Sequence, residues 1–119
     1  MNPLPDEALV IRGGANWPES LLKAPGVSLV QGKLRGVSVS SALGKSIAEL
    51  TAPDDERGYL GIPHKQLGVT TVGQIRASGG DVSPSPTRRN PDHATLSGLT
   101  PDQASELFRP TTPNPNRLP

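Results

Sequence analysis

The chain contains no cysteine and very few aromatic residues. Among its 119 residues, the aromatic side chains are Trp17, Tyr59 and Phe108. The absence of cysteine excludes a disulfide framework and a thiolate metal site. It does not distinguish an oxidising from a reducing compartment. Because aromatic rings are so scarce, any hydrophobic core has to consist mainly of aliphatic side chains.

Long apolar runs and a strong charge excess are missing as well. No run approaches the roughly 18 apolar residues of a membrane span, and the acidic, proline-containing start MNPLPDE is not a signal peptide. The formal net charge of +1 excludes strong non-specific attraction of the whole chain to nucleic acid. We therefore expect no membrane partner and no sequence-specific DNA partner. A cytoplasmic protein, or one delivered as part of a secreted protein, fits these features.

Proline and glycine are abundant, with 14 and 13 residues respectively. Leu, Ile, Val and Phe together make 27 of the 119 residues, which exceeds the roughly 20% below which chains tend to be disordered. The length suits one domain, because two would each be too small to bury a useful core. We predict a single loop-rich domain over residues 1–109 and a proline-rich tail, residues 110–119, that is extended or disordered.

Four segments carry the signals that start a helix. In each, a residue with a short polar side chain is followed three positions later by Glu or Gln, which is the capping-box pattern. The pairs are Asn16 with Glu19, Ser46 with Glu49, Thr71 with Gln74, and Thr100 with Gln103. We therefore predict three or four short capped helices.

Short apolar or alternating runs predict the strands of a small sheet. They are Ala8–Arg12, Val27–Gln31, Lys33–Ser40, Leu67–Thr70, Asp81–Ser83 and His93–Ser97. Alternation places Ser38 and Ser40 on one face of their strand, and likewise His93 and Thr95 on one face of theirs. Strands and helices in this proportion indicate an α+β domain with a twisted sheet of five or six short strands.

His93 and Thr95 are the first candidates for chemistry. They form an H-x-T pattern that brings an imidazole and a hydroxyl about 7 Å apart on one strand face. The pattern resembles one half of the two-histidine phosphoesterases, in which the histidine acts as acid or base and the hydroxyl residue binds phosphate. The resemblance implies catalytic roles for His93 and Thr95. The other histidine, His64, lies in HKQ and lacks the paired hydroxyl. The alternative is a half-exposed strand histidine that bonds a neighbour.

A second resemblance covers IRGG at residues 11–14 and GVSVSSALGKSIAEL at residues 36–50. These segments are similar to the first two signatures of the ADP-ribosyltransferase folds. The resemblance implies that Arg12 anchors a phosphate or ribose and that a serine motif, made of Ser38, Ser40 and Ser41, shapes a nicotinamide pocket. It makes NAD the one cofactor to consider.

The ADP-ribosyltransferase resemblance is incomplete, because that family usually places a catalytic glutamate on a later strand. Glu49 and Glu106 both belong to predicted helices here. Without the carboxylate, the resemblance implies nucleotide binding more than transfer. The alternative is a strand-ending arginine beside a solvated serine face.

A third resemblance covers residues 37–117, especially VTTVGQIRASGGDVSPSP and NPDHATLSGLTPDQASELF. This region is similar to small uncharacterised bacterial proteins and to segments at the C-terminal ends of polymorphic toxins. The resemblance implies a role in bacterial conflict, as an effector or as the partner of one.

Arg88 and Arg89 form the only adjacent basic pair, in a loop that leads directly into the strand with His93. Such a pair could grip a phosphate, with a solvated turn as the alternative. No metal site is predicted, since the two histidines are far apart in sequence and cysteine is absent.

We therefore expect an effector-type domain that binds a nucleotide, an NAD-like ligand or an RNA phosphate. The residues expected around one pocket are Arg12, Ser38, Ser40, Arg88, His93 and Thr95. The alternative hypothesis is a non-enzymatic interaction module, an immunity protein or assembly partner, whose partner is another protein.

Overall fold

Leu9–Gly13 forms β1, a strand inside a six-stranded sheet in which every pairing is antiparallel. The computed structural model describes residues 2–117 of the chain. The further strands are β2 (Ser28–Val30), β3 (Lys33–Arg35), β4 (Val37–Ala42), β5 (Gln66–Thr71), β6 (Asp81–Pro84), β7 (His93–Ser97) and β8 (Thr112–Pro113). The sheet has the order β6-β7-β4-β1-β5-β8, and β2 and β3 form a separate hairpin.

In the described part of the chain, four short helices accompany the sheet: α1 (Pro18–Leu22), α2 (Ile47–Thr51), α3 (Val72–Ala77) and α4 (Pro101–Phe108). The predicted α+β class is confirmed, with a six-stranded sheet and four helices. Within residues 2–117, no helix has the length and apolar character that crossing a bilayer requires.

The capping boxes of α2 and α4 are confirmed. Thr100 accepts a hydrogen bond from the backbone N–H of Gln103, and the Gln103 side chain accepts one from the backbone of Thr100. Ser46 and Glu49 make the same pair of bonds at α2. Each box satisfies two of the N–H groups that a helix start leaves unpaired.

The predicted cap at Asn16 is wrong. Trp17 is the N-cap of α1 and makes no side-chain capping bond. Asn16 instead has φ 58°, and its amide donates to the carbonyls of Arg12 and Gly14. Asparagine tolerates this left-handed conformation better than most residues, and its side chain readily bonds nearby backbone. Asn16 therefore secures the turn after β1 rather than starting the helix.

The predicted strand Lys33–Ser40 is two strands, divided at Gly36. This glycine has φ 81°, and a Cβ at its position would lie only 2.8 Å from the carbonyl oxygen of Gly26. The chain can therefore change direction there only with glycine. As a result β3 joins the hairpin, while β4 enters the main sheet.

The two faces of the sheet bury different parts of the core. The main cluster lies on the face of Val10, Val39 and Leu96, and it includes Ile75 of α3 and Phe108 of α4. A smaller cluster on the opposite face joins Ile11 and Leu67 to Leu50 of α2. The side chains of Ser38, Ser40, His93 and Thr95 belong to neither cluster. That part of the second face is consequently available for a binding site.

The proline-rich tail is extended and packs on the domain as far as the structure describes it. Thr112 and Pro113 pair with the edge of β5. Asn114 is 1% exposed, and its amide donates to the carbonyls of Ile62 and His64 at 2.9 and 2.8 Å. The tail thereby fixes the segment that carries His64.

Replacement of Thr100 by alanine should lower the free energy of unfolding by about 0.5–2 kcal/mol, because the N-cap of α4 is lost. Chemical denaturation of the wild type and Thr100→Ala measures the difference. Ser28→Ala, which removes an exposed hydroxyl from β2, is the matched control and should change little. Equal stability of all three proteins would contradict the assignment of this cap.

Candidate functional site

The pairing between β1 and β4 ends before either strand does. The two strands pair from Leu9 to Ile11 of β1. Beyond that point Arg12 and Gly13 pair with β5 alone, whereas Val37, Ser38 and Val39 of β4 pair with β7. We call this separation the fork. A cleft of about 840 Å³ opens at the fork, between residues 13–16, 59–64 and 87–90.

The side chain of Arg12 lies in the fork. Its Nη1 donates to the carbonyl oxygen of Ser38 at 2.9 Å, a group on β4 beyond the last β1–β4 pair. Its Nε is buried and has no hydrogen-bond partner among residues 2–117. Burial lowers the pKa of the Arg12 guanidinium below its ordinary value, yet arginine remains protonated at neutral pH. The cleft thus has a fixed positive charge at its base.

Further basic side chains surround this charge. Lys23 and Arg89 line the cleft with Arg12, and so do His64 and His93. Among the described residues, no aspartate or glutamate lines the cleft. Arg12, Lys23 and Arg89 are the three cations of this lining. Within the part of the chain that the structure describes, no carboxylate forms an ion pair with any of them. Their summed charge therefore favours an anionic ligand.

Four of the predicted site residues form a block on β4 and β7. Ser40 lies opposite His93, and Ser38 lies opposite Thr95. Residues directly opposite each other on antiparallel strands project from the same face of the sheet. Ser38, Ser40 and His93 line the cleft, whereas Thr95 does not.

Ser85, just after β6, connects Thr95 to His93. Its hydroxyl lies 2.9 Å from Nδ1 of His93 and 2.7 Å from the hydroxyl of Thr95. The Ser85 carbonyl oxygen lies 3.0 Å from the same Nδ1. A carbonyl can only accept a hydrogen bond, so this network assigns the hydrogen to Nδ1 and the lone pair to Nε2. Neutral His93 therefore has its basic nitrogen on the side of the ring away from Ser85.

Asn90 supports the cleft beside His93. Its Nδ2 donates to the hydroxyls of Ser40 and Tyr59, at 3.2 and 3.5 Å. Its Oδ1 accepts from the backbone N–H of Asp92. Tyr59 lines the cleft as well, and burial raises the pKa of its hydroxyl above the ordinary value. The cleft therefore offers a neutral aromatic ring in addition to its cations.

Three predicted residues do not line the cleft. Ser41 projects from the core face of β4, in alternation with Ser40, and its buried hydroxyl has no partner within residues 2–117. Thr95 does not reach the cleft, and its hydroxyl contacts the hydroxyl of Ser85. Arg88 is exposed beside Arg89, which does line the cleft. Ser38, Ser40, His93, Arg12 and Arg89 are brought together.

Sequence reasoning missed Tyr59, His64, Ser85 and Asn90 as parts of the site. A signal for His64 exists in Gly13-Gly14, because a Cβ at Gly13 would overlap the His64 ring. Paired glycines at the end of a strand thus indicate the close approach of another group. For the other three residues the sequence has no comparable signal, since their roles depend on strand pairing and loop placement.

The described residues contain no group of three or more His, Asp or Glu side chains placed to hold a metal ion. Comparison of the chain with models of protein families, with curated proteins and with solved structures finds no match.

Tyr59 should titrate above the ordinary tyrosine value of about 10, because burial disfavours its charged form. The chain has one tyrosine, so the ultraviolet absorbance of tyrosinate measures it alone. The folded state keeps this proton to higher pH than the unfolded state does. Its contribution to stability is therefore present below pH ~10 and is lost as pH rises through the higher folded-state pKa.

The same titration in denaturant is the control and should give a midpoint near 10. If folded and denatured protein titrate together, Tyr59 is not buried against the cleft.

Proposed function

We propose that the cleft binds a phosphate-bearing ligand of nucleotide size, such as a nucleotide, an NAD-like dinucleotide or an RNA segment. The observation that carries the proposal is the charge of the cleft: three cations line it without any described carboxylate. Arginine in such a position can give two hydrogen bonds to phosphate oxygens. The volume of the cleft, about 840 Å³, lies within the range of roughly 300–1,000 Å³ that small-molecule sites occupy.

The ADP-ribosyltransferase resemblance supports a dinucleotide-sized ligand. It implies that Arg12, Ser38 and Ser40 serve one binding site, and these three residues line one cleft. The carboxylate that transfer requires has no counterpart, since Glu49 and Glu106 lie on α2 and α4 and not among the lining residues. Our proposal is therefore ligand binding, not ADP-ribosyl transfer.

We propose further that the domain acts in bacterial conflict as a toxin-type effector. This rests on the similarity of residues 37–117 to segments of polymorphic toxins. The alternative is a non-enzymatic immunity protein or assembly partner. Residues 112–116 are held on the domain by pairing with β5 and by side-chain bonds to the segment of His64 and to α2. The charged cleft favours the first proposal.

Calorimetry with pyrophosphate, ATP, NAD and a short RNA tests the binding. We expect Arg12→Lys and Arg89→Gln to raise the Kd of the ligands that bind by about 10–100-fold, since a hydrogen bond to a charged group contributes about 1.5–3 kcal/mol. Arg12→Lys retains the charge but loses the planar fork of donors. Arg35→Gln removes an exposed arginine of β3 outside the cleft and should leave the Kd unchanged.

Absence of heat with all four ligands at millimolar concentration would overturn the proposal. Equal weakening by Arg35→Gln would do the same, because the effect would then not belong to the cleft.

A further inference from the structure

We propose that this cleft cleaves RNA by transesterification, with His93 as the proton acceptor and Ser85 as its positioning residue. The inference rests on the phosphate binding proposed above and names the substrate and reaction of that site. Three features of the structure carry it: the sign of the charge in the cleft, the nitrogen that His93 presents, and the contacts that orient its ring.

The charge of the cleft distinguishes between two reactions on phosphate-bearing ligands. Cleavage of a glycosidic bond, as in the transfer of ADP-ribose from NAD, develops positive charge on the sugar, which enzymes commonly stabilise with a carboxylate. Phosphoryl transfer places negative charge on the phosphate oxygens, and cationic side chains stabilise it. The cleft contains Arg12, Lys23 and Arg89 and no described carboxylate. It therefore favours the phosphoryl reaction and opposes the glycosidic one.

His93 is suited to accept a proton in that reaction. Its Nδ1 lies 3.0 Å from the carbonyl oxygen of Ser85, and because a carbonyl can only accept, this contact favours the neutral form with the hydrogen on Nδ1 and the lone pair on Nε2. Nε2 forms no hydrogen bond with any of residues 2–117, and the residue lines the cleft. Imidazole is the side chain that most often takes up a proton near neutral pH during catalysis.

A ribose 2′-hydroxyl is the nucleophile that an RNA ligand itself brings beside its phosphate. Nε2 of His93 takes the proton of this hydroxyl, and the 2′-oxygen forms a bond to phosphorus. The bond from phosphorus to the 5′-oxygen of the next nucleotide breaks, and the 5′-oxygen leaves with a proton from water. His93 then returns its proton to water. The products are a 2′,3′-cyclic phosphate and a 5′-hydroxyl, without any oxidant or further reactant.

Ser85 and Thr95 act on this step through the orientation of the ring. The Ser85 hydroxyl contacts Nδ1 of His93 and the hydroxyl of Thr95. Thr95 itself does not line the cleft, so its hydroxyl serves Ser85 rather than the ligand. Without the Ser85 hydroxyl, the ring keeps one bond to the backbone and gains freedom to rotate. We therefore expect loss of this group to slow proton transfer without removing the ligand contacts.

A DNA oligonucleotide with one central ribonucleotide is the test substrate, with all-deoxy and 2′-O-methyl versions as controls. We expect cleavage after the ribonucleotide only. Mass spectrometry should show a cyclic phosphate on the upstream fragment, because no water is added at the moment of cleavage. Cleavage of the all-deoxy or 2′-O-methyl strand would overturn the inference.

Substitutions at His93 and Ser85 distinguish the proton acceptor from the residue that positions its ring. His93→Gln should lower the cleavage rate about 10²–10⁴-fold, while the Kd for the uncleavable 2′-O-methyl strand stays within about twofold. Ser85→Ala should lower the rate about tenfold and shift its pH profile, and Ser85→Thr should restore both. Ser28→Ala, at an exposed residue that does not line the cleft, is the control. An unchanged pH profile in Ser85→Ala would contradict the positioning role.

One further measurement tests the role of His93 independently of cleavage. Nitrogen NMR of the histidine rings should show the hydrogen of neutral His93 on Nδ1, and a hydrogen on Nε2 would overturn the role of His93.

An oligonucleotide that binds but stays intact, or NAD that loses nicotinamide while RNA stays intact, would overturn RNA cleavage and leave phosphate binding standing. Failure of every phosphate ligand to bind would overturn both.

Discussion

The point at which β1 leaves β4 determines the geometry of the rest of the domain. β1 and β4 pair only from Leu9 to Ile11 of β1, and beyond that point each strand keeps only its other neighbour, β5 or β7. Beyond this point backbone groups of both strands lose their ladder partners, and such groups are costly to leave unpaired. Arg12 bonds the Ser38 carbonyl there. The same side chain therefore completes the sheet and places a charge at the base of the cleft.

Three buried asparagines secure the loops around that charge. Asn16 bonds the turn after β1, Asn90 bonds Ser40 and Tyr59 beside β7, and Asn114 bonds the segment of His64. Each is at most 9% exposed. An amide both donates and accepts, so it can satisfy irregular backbone, and because it is neutral its burial costs less than that of a charge. The three asparagines thus fix the walls of the cleft without adding charge, and the positive charge of the cleft comes from Arg12, Lys23 and Arg89.

Local patterns predicted the elements well where local bonds decide them. The capping boxes at Ser46 and Thr100 need only residues three positions apart, and both are formed. The alternation of β4 and β7 also placed Ser38, Ser40 and His93 on one face correctly. The pattern at Asn16 failed because this residue adopts a left-handed turn conformation one position before the N-cap, where its Nδ2 bonds two carbonyls of the turn and its oxygen caps no helix N–H. The sequence predicts Gly36 to lie inside a strand, because its close approach to Gly26 is not visible in any local pattern.

The sequence by itself determined the class of the domain, most of its short elements and a set of basic and hydroxyl residues suited to phosphate. These follow from periodicity and capping, which act over a few neighbouring residues. Only the tertiary structure decided which of those residues meet. Strand pairing set Ser40 against His93, and loop placement added Tyr59, His64, Ser85 and Asn90. Contacts between residues distant in sequence depend on strand order and on the fork, and no local pattern encodes either.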